Sequence, residues 1–332
     1  MNNIISISRL NYKVYLISDL DIFDKIFNIL YPYYTIEKEE SINNDLWKIY
    51  INEVTLKDFE IITSEMNALS EPLKKFKVSK SERVISICEP FNMEWKIQQA
   101  VRFIRDIFRN YLNYRNMLFF HGGLVYDKIN NVGISIMGEK MSGKTSTILS
   151  WLNKSSYYVT NDDISVKKEG TNIMGYGWPR AVSVRNDTFD MLEMDKVSIV
   201  KNLTHPSNKT KLKKSATFLY PYELANVTNS MIKDECRINY IIFPKFDDAI
   251  TDPQITRLSK SEFKQNLLTN IEPDINKHFK EFEKFFLFSS IQSSPVIDEI
   301  LEKTIGLELR QNFFYIKKTP HYIRGYIEKY GK

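Results

Sequence analysis

Cysteine is scarce. Cys88 and Cys236 are the only two, they lie far apart, and neither belongs to a CxxC pair. A disulfide framework or a thiolate-built zinc site is therefore not expected. Glycine is sparse as well, at 11 residues in 332, so the few that cluster stand out. No window approaches the roughly 18 consecutive apolar residues of a membrane span. The opening stretch MNNIISISRLNYKVYLISDLD has neither a long apolar core nor a small-residue cleavage site. The expectation is a cytoplasmic protein with no membrane partner. Neither sign of charge dominates. The formal net charge of +5 suits an anionic ligand such as a nucleotide, but no basic patch is interleaved with stacking aromatics, so nucleic acid is not an expected partner.

What is present is ample core material. Hydrophobic residues make up 43% and charged residues 26%, with 19 Tyr and 21 Phe, and the length suits two domains of common size. The first ~115 residues mix strand-like runs (YKVYLIS, LWKIYIN, ERVISICE) with helical patches, one of which, FDKIFNILYPYY, ends in a proline break. From about Glu94 to Asn116, the residues Ile97, Val101, Ile104, Phe108 and Tyr111 recur at helical spacing and define one apolar face. Arg102, Arg105 and Arg109 form a basic stripe on the same helix, read as a solvated face. MLFFHGGLVYD and GISIMG read as two strands of a hairpin, and SGKTSTILSWL as a helix. SYYVTNDD reads as a short strand, MGYGWPRAVSVR as irregular chain and then strand, and RINYIIFPKF as a buried strand closed by its proline. KNLTHPSNKTKLKKS reads as a surface loop. The C-terminal third reads as largely helical, with EFEKFF and SPVIDEILEKTIG as its clearest segments.

The segment GEKMSGKT carries the chemistry. Gly138, Gly143, Lys144 and Thr145 fit G-x-x-x-x-G-K-[ST], with a strand before and a helix after. Glycines let successive backbone N–H groups turn inward around phosphate oxygens, and the following helix aims its positive end at the same anion. The expected phosphate cradle comprises Gly138, Met141, Ser142, Gly143, Lys144, Thr145 and Ser146. Lys144 would reach the β- and γ-phosphates and Thr145 would give its hydroxyl to Mg²⁺.

Asp162 and Asp163 follow by the length of one helix and one strand. Beside a γ-phosphate, one carboxylate can hold Mg²⁺ while the other accepts a proton from an attacking hydroxyl. Neighbouring strand residues point to opposite faces, so both can serve only if the strand ends there. His121, followed by Gly122 and Gly123, is placed near the phosphate end of the sheet if the two strands pair. No guanine-reading NKxD segment is present. Arg180, Arg185 and the lysines 209, 211, 213 and 214 are further candidates for phosphate or acidic-peptide contact.

The run HGGLV … GISIMGEKMSGKTSTILSWL … YYVTNDDISV, from His121 to about Val166, resembles the C-terminal domain of HPr kinase/phosphorylase and its wider HPr-kinase-like relatives. The resemblance implies an α/β catalytic domain over residues 116–332, with a P-loop on a mixed sheet of the HPr kinase and phosphoenolpyruvate carboxykinase type. A smaller α+β domain over residues 1–115 would serve substrate recognition. It implies ATP and Mg²⁺ as cofactors, Asp163 as proton acceptor, Thr145 and Asp162 at the metal, and His121 near the transferred phosphate. The loop ends in Thr145 where the family commonly has Ser. The IRGLG-like segment of the bifunctional enzymes has no counterpart, so HPr is not the expected substrate and phosphorylase activity is not expected. The implied function is a kinase acting on a Ser or Thr hydroxyl of a peptide or protein, in the manner of stand-alone kinases from modified-peptide gene clusters. Homo-oligomer formation is left open. The alternatives are an ATP enzyme that transfers a nucleotidyl group or activates a carboxylate, and a non-catalytic nucleotide switch.

Overall fold

The computed structural model describes residues 3–64, 71–90, 92–114, 117–209, 215–272, 282, 284–285 and 295–331. The chain is a mixed α/β protein built on mixed sheets. It divides into two compact units. The first comprises Met1–Arg115, His205–Lys213 and Asp274–Ser290, and the second comprises Asn116–Thr204, Lys214–Pro273 and Ile291–Lys332. Among the described residues no helix is long and apolar enough to cross a membrane. Lys211, Lys213 and Lys214, with Glu281, Glu283 and Phe286 of EFEKFF, lie outside the described residues. Lys209 is described, and its ammonium pairs with Glu94 of the same unit.

In the first unit, strands β1 (Asn3–Arg9), β2 (Tyr12–Ser18), β3 (Thr35–Glu39), β4 (Lys48–Tyr50), β5 (Glu60–Ser64), β6 (Lys74–Ser79) and β7 (Val84–Glu89) form one sheet in the order β3-β1-β2-β4-β7-β6-β5. It is parallel only where β4 meets β2 and β7. Helix α1 (Phe23–Leu30) stops before the cis Tyr31–Pro32 bond, where the sequence places its proline break. Helix α2 (Met93–Tyr114) lies on β2, β4 and β7, with Ile97, Val101, Ile104 and Phe108 buried and Tyr111 stacked on Tyr12 at 4.2 Å.

The arginine stripe of α2 corrects the sequence reading. Arg102, Arg105 and Arg109 are buried, not solvated. A buried cation must be paired, and Arg102 makes two bonds to Glu71, of 2.9 and 2.7 Å, while Lys74 meets the same carboxylate at 2.7 Å. Burial works against the Glu71 anion, but Arg102 and Lys74 outweigh it and bring its pKa from 4.5 down to about 2. Burial also lowers the Lys74 pKa despite Glu71, so the triad is held at a desolvation cost.

The second unit begins with the hairpin β8 (Leu118–Asp127) and β9 (Val132–Met137), followed by α3 (Lys144–Trp151), β10 (Ser156–Thr160), β11 (Asp163–Glu169) and β12 (Asn172–Tyr176). A small ribbon, β13 (Val182–Arg185) with β14 (Ala216–Leu219), carries α4 (Asn186–Met191) and α5 (Lys196–Lys201) in its connection. Then come α6 (Pro221–Thr228), β15 (Met231–Ile232), β16 (Glu235–Arg237), β17 (Tyr240–Phe246), β18 (Gln254–Arg257), α7 (Lys260–Thr269), α8 (Val296–Lys303), β19 (Ile305–Gln311) and α9 (Thr319–Tyr330). The main sheet runs β16-β12-β11-β8-β9-β17-β19-β18, and β10 also pairs with β8. Strand residues alternate between two apolar clusters, as the two-residue period of a sheet requires. Val125, Ile134, Ile136, Tyr158 and Ile242 pack with Ile148 and Trp151 of α3 and Ile323 of α9. Leu124, Met137, Val159 and Ile241 pack with Phe263 of α7 and Ile300 of α8. Helices therefore cover both faces, and continuous apolar runs such as ISIM and YIIF are what such strands require.

Two sequence expectations change here. Pro244 does not close its strand; β17 continues to Phe246 beside β19. Proline lacks the ladder donor, and it is tolerated where pairing with β9 has already ended, at Ile242. The C-terminal third is less helical than expected, because β19 follows α8 directly and becomes a strand of the main sheet. Its Gly306 lets Phe263 approach to where a Cβ would clash at 2.5 Å.

The Glu71 triad sets a pH dependence. A carboxylate depressed in the fold contributes stability above its unfolded pKa and loses it as pH falls through the folded one. Thermal unfolding midpoints are expected to fall as pH drops from 4.5 toward 2. Glu71→Gln should cost about 3–5 kcal/mol at neutral pH by removing the buried carboxylate that Arg102 and Lys74 share, and should flatten the acid decline. Calorimetry across that range checks both.

Candidate active site

Strand β8 places the site. On one side it pairs with β9 up to Gly122↔Met137, and β9 then runs into the glycine loop. On the other side it pairs first with β10, up to Leu124↔Thr160, and then with β11, starting at His121↔Asp163. The chain bends at Asn161 and Asp162 between these two strands. The strand does end at the acid pair, and Asp162 and Asp163 are freed from strict alternation. Gly123 makes this approach possible: a Cβ there would stand 2.6 Å from the Asn161 carbonyl oxygen and 2.7 Å from that of Thr160.

The loop from Gly138 to Gly143 has the positive φ angles that its glycines permit, +154° and +98°. Met141 joins them at +71°. The Lys144 ammonium donates to the carbonyls of Gly138 at 2.7 Å and Glu139 at 2.6 Å, which folds the loop around the lysine. No side chain caps α3, since Gly143 is its N-cap, and the first-turn N–H groups face the loop as an anion site requires. Asn161 donates to the Thr145 hydroxyl at 3.2 Å, linking the loop to the acid bend.

A cavity of about 580 Å³ opens over this region, lined by His121, Lys140, Met141, Gly143, Lys144, Thr145, Ser146 and Asp162. Its wall is completed by Ser183, Arg185, Asp187, Thr188, Phe246, Asp248 and Phe313. Most of the residues picked from the sequence therefore meet in one place. Gly138 and Ser142 lie in the loop just behind the lining, and the would-be Cβ of Gly138 stands 2.8 Å from the Ser142 hydroxyl. Asp163 is separated from Asp162 in environment. It is 2% exposed and accepts a 2.9 Å bond from Arg180, whose guanidinium reaches Asp162 at 3.8 Å. Burial acts against the Arg180 charge, but Asp163, Asp162 and Glu272 together hold its pKa above the ordinary arginine value. Arg185 borders the cavity, paired to Asp187 at 2.9 Å.

Sequence reasoning missed several neighbours. Asn161 was readable as part of TNDD. Glu272 carried no signal: it is brought to His121 because the chain after α7 bridges to β8 at Phe120↔Ile271. Its carboxylate lies 3.5 Å from His121 Nδ1. Phe246, Asp248 and Phe313 arrive from strand ends that the sequence did not mark as sites.

Among the described residues, two buried polar atoms here, Ser142 Oγ and Asn161 Oδ1, have no hydrogen-bond partner. Buried polar atoms are ordinarily paired, so the site is built for a polar occupant. A Mg²⁺ held by one hydroxyl, one carboxylate, water and phosphate oxygens fits Thr145 and Asp162. Among the described residues no group of three His, Cys, Asp or Glu side chains could hold a metal unaided. Comparison with models of known protein families and with curated proteins found no match.

Gly143 offers a direct test. A Cβ there would meet the Phe246 ring at 2.7 Å on a backbone at φ +98°. Gly143→Ala is expected to lower the unfolding midpoint, from strain of about 1–3 kcal/mol, with the circular dichroism spectrum retained. Thermal unfolding checks it.

Proposed function

We propose that this protein is a Mg²⁺-dependent kinase of the HPr-kinase-like type, which moves the γ-phosphate of ATP to a Ser or Thr hydroxyl of a peptide or protein. The observation that carries the reading is the meeting of the phosphate loop, the acid bend and His121 on one cavity. Unrelated reactions share such loops, but a loop joined to a carboxylate pair across one strand is what transfer to a hydroxyl needs.

The residues divide the work. Lys144 and the N-terminus of α3 offset the charge of the phosphates. Thr145 and Asp162 would hold Mg²⁺, which would supply positive charge to offset that of the phosphates. Asn161 keeps the Thr145 side chain in place. The proton of the attacking hydroxyl goes to the Asp162–Asp163 pair. Asp162 borders the cavity, and Asp163 is held by Arg180, whose guanidinium also reaches Asp162. His121 lines the same end and donates toward the transferred group. Catalysis on this reading is positioning and electrostatics, with no covalent enzyme intermediate. The first unit supplies substrate recognition, and the protein works away from membranes and nucleic acid.

ATP labelled at the α- or γ-phosphate, incubated with Mg²⁺ and a peptide fraction from the source cells, tests the reading. γ-Label is expected in a peptide. Lys144→Ala should abolish it through lost ATP binding. Asp162→Asn and Asp163→Asn should each lower turnover about 10²- to 10⁴-fold, the usual range for a lost acid–base group. Transfer of the α-label instead would mark a nucleotidyl transferase. Tight binding with no label moved, and an Asp163→Asn variant of unchanged function, would mark a nucleotide switch.

A further inference from the structure

The cavity has two unlike ends. The order β11-β8-β9-β17-β19 puts β8 and β17 on opposite sides of the strand that leads into the loop. His121 and Asp162 come from the β8 side. Phe246 and Phe313 come from the β17 and β19 side, because β9, β17 and β19 run parallel and present their carboxyl ends together. Ligands bind in the crevice beyond such ends.

Phe246 is 38% exposed although it lies in a sheet strand. Its ring is fixed edge to face against Phe313, with centroids 5.6 Å apart and planes at 79°. It also abuts the loop, since a Cβ on Gly143 would touch its Cζ at 2.7 Å. The ring packs against Phe313 and the loop and is still exposed, so part of it is open to a ligand. Asp248 lines the same end. A carboxylate there is unfavourable beside a triphosphate, but it suits the N–H groups on the edge of a base.

We propose that Phe246, braced by Phe313, is the stacking platform for the base of the bound nucleotide, and that Asp248 accepts from the base's amino edge. The transferring phosphate then points away, toward His121 and Asp162. This deepens the reading of the loop as a nucleoside triphosphate site and rests on it. The ligand class is a purine nucleotide bearing an exocyclic amino group.

The test separates base from phosphates. Mg²⁺–tripolyphosphate and Mg²⁺–ATP are titrated calorimetrically into the full chain and into Phe246→Ala, Phe246→Tyr and Asp248→Ala. Phe246→Ala is expected to weaken ATP about 5- to 150-fold, the range for loss of one base–aromatic stack, with tripolyphosphate changed less than twofold. Phe246→Tyr should restore ATP affinity. Asp248→Ala should weaken ATP and leave purine riboside triphosphate, which lacks the amino group, unaffected. Equal losses of ATP and tripolyphosphate in Phe246→Ala, or no loss of either, overturn the platform. Wild-type protein that binds tripolyphosphate as tightly as ATP overturns the base subsite alone. Wild-type protein that binds neither overturns the phosphate-loop reading, and the subsite falls with it.

Discussion

Strand β8 pairs with β9 along one edge and with β10 and then β11 along the other, and this double pairing determines the site. It forces the end of β9 and the bend between β10 and β11 to the same height, on either side of His121. Ladder hydrogen bonds fix register absolutely, since a shift of one residue would turn every side chain to the wrong face. Leu124 and Val125 go to opposite apolar clusters, so such a shift would bury nothing well. The cavity lining is thus held in place by the hydrophobic alternation of a strand that contributes only His121 to it.

Electrostatics then set the character of each acid. Arg180 answers Asp163 at hydrogen-bond distance and Asp162 only at 3.8 Å, so one carboxylate is paired directly and its neighbour only at longer range. Glu272, with its side chain 2% exposed, adds to the negative field around Arg180. A partly buried cluster of this kind is costly as pure scaffolding. Clusters of this sort gather where charge has to be handled.

Much of this was legible in the sequence, for local reasons. The loop, its flanking strand and helix, the hairpin and the acid bend are all short-range patterns, and residues such as Gly143 and Asp162 announce themselves by type and spacing. What was not legible depends on long-range pairing. Glu272 reaches His121 through a bridge between chain segments some 150 residues apart. Phe246 looks like core in the sequence, and only the end of β9 short of it leaves its ring uncovered. Arg102 of α2 follows the rule for a wet helix face, but Glu71 supplies a buried counter-charge from outside the helix. Strand β19 was hidden because IGLELRQ alternates weakly and follows a strong helix.

Gln311 stands at the end of β19, next to the register partner Phe246. Its amide nitrogen donates to Thr147 at 2.7 Å, and its amide oxygen accepts from Thr319 at 2.9 Å. Thr147 in turn donates to the Gly143 carbonyl at 2.8 Å. One buried amide therefore rivets the first turn of α3 to the sheet and to the start of α9. The helix behind the glycine loop is pinned: it cannot slide along the sheet without breaking the Gln311–Thr147 bond. The cavity wall on α4 meets this same helix, where the Thr188 and Ser146 hydroxyls lie 3.5 Å apart.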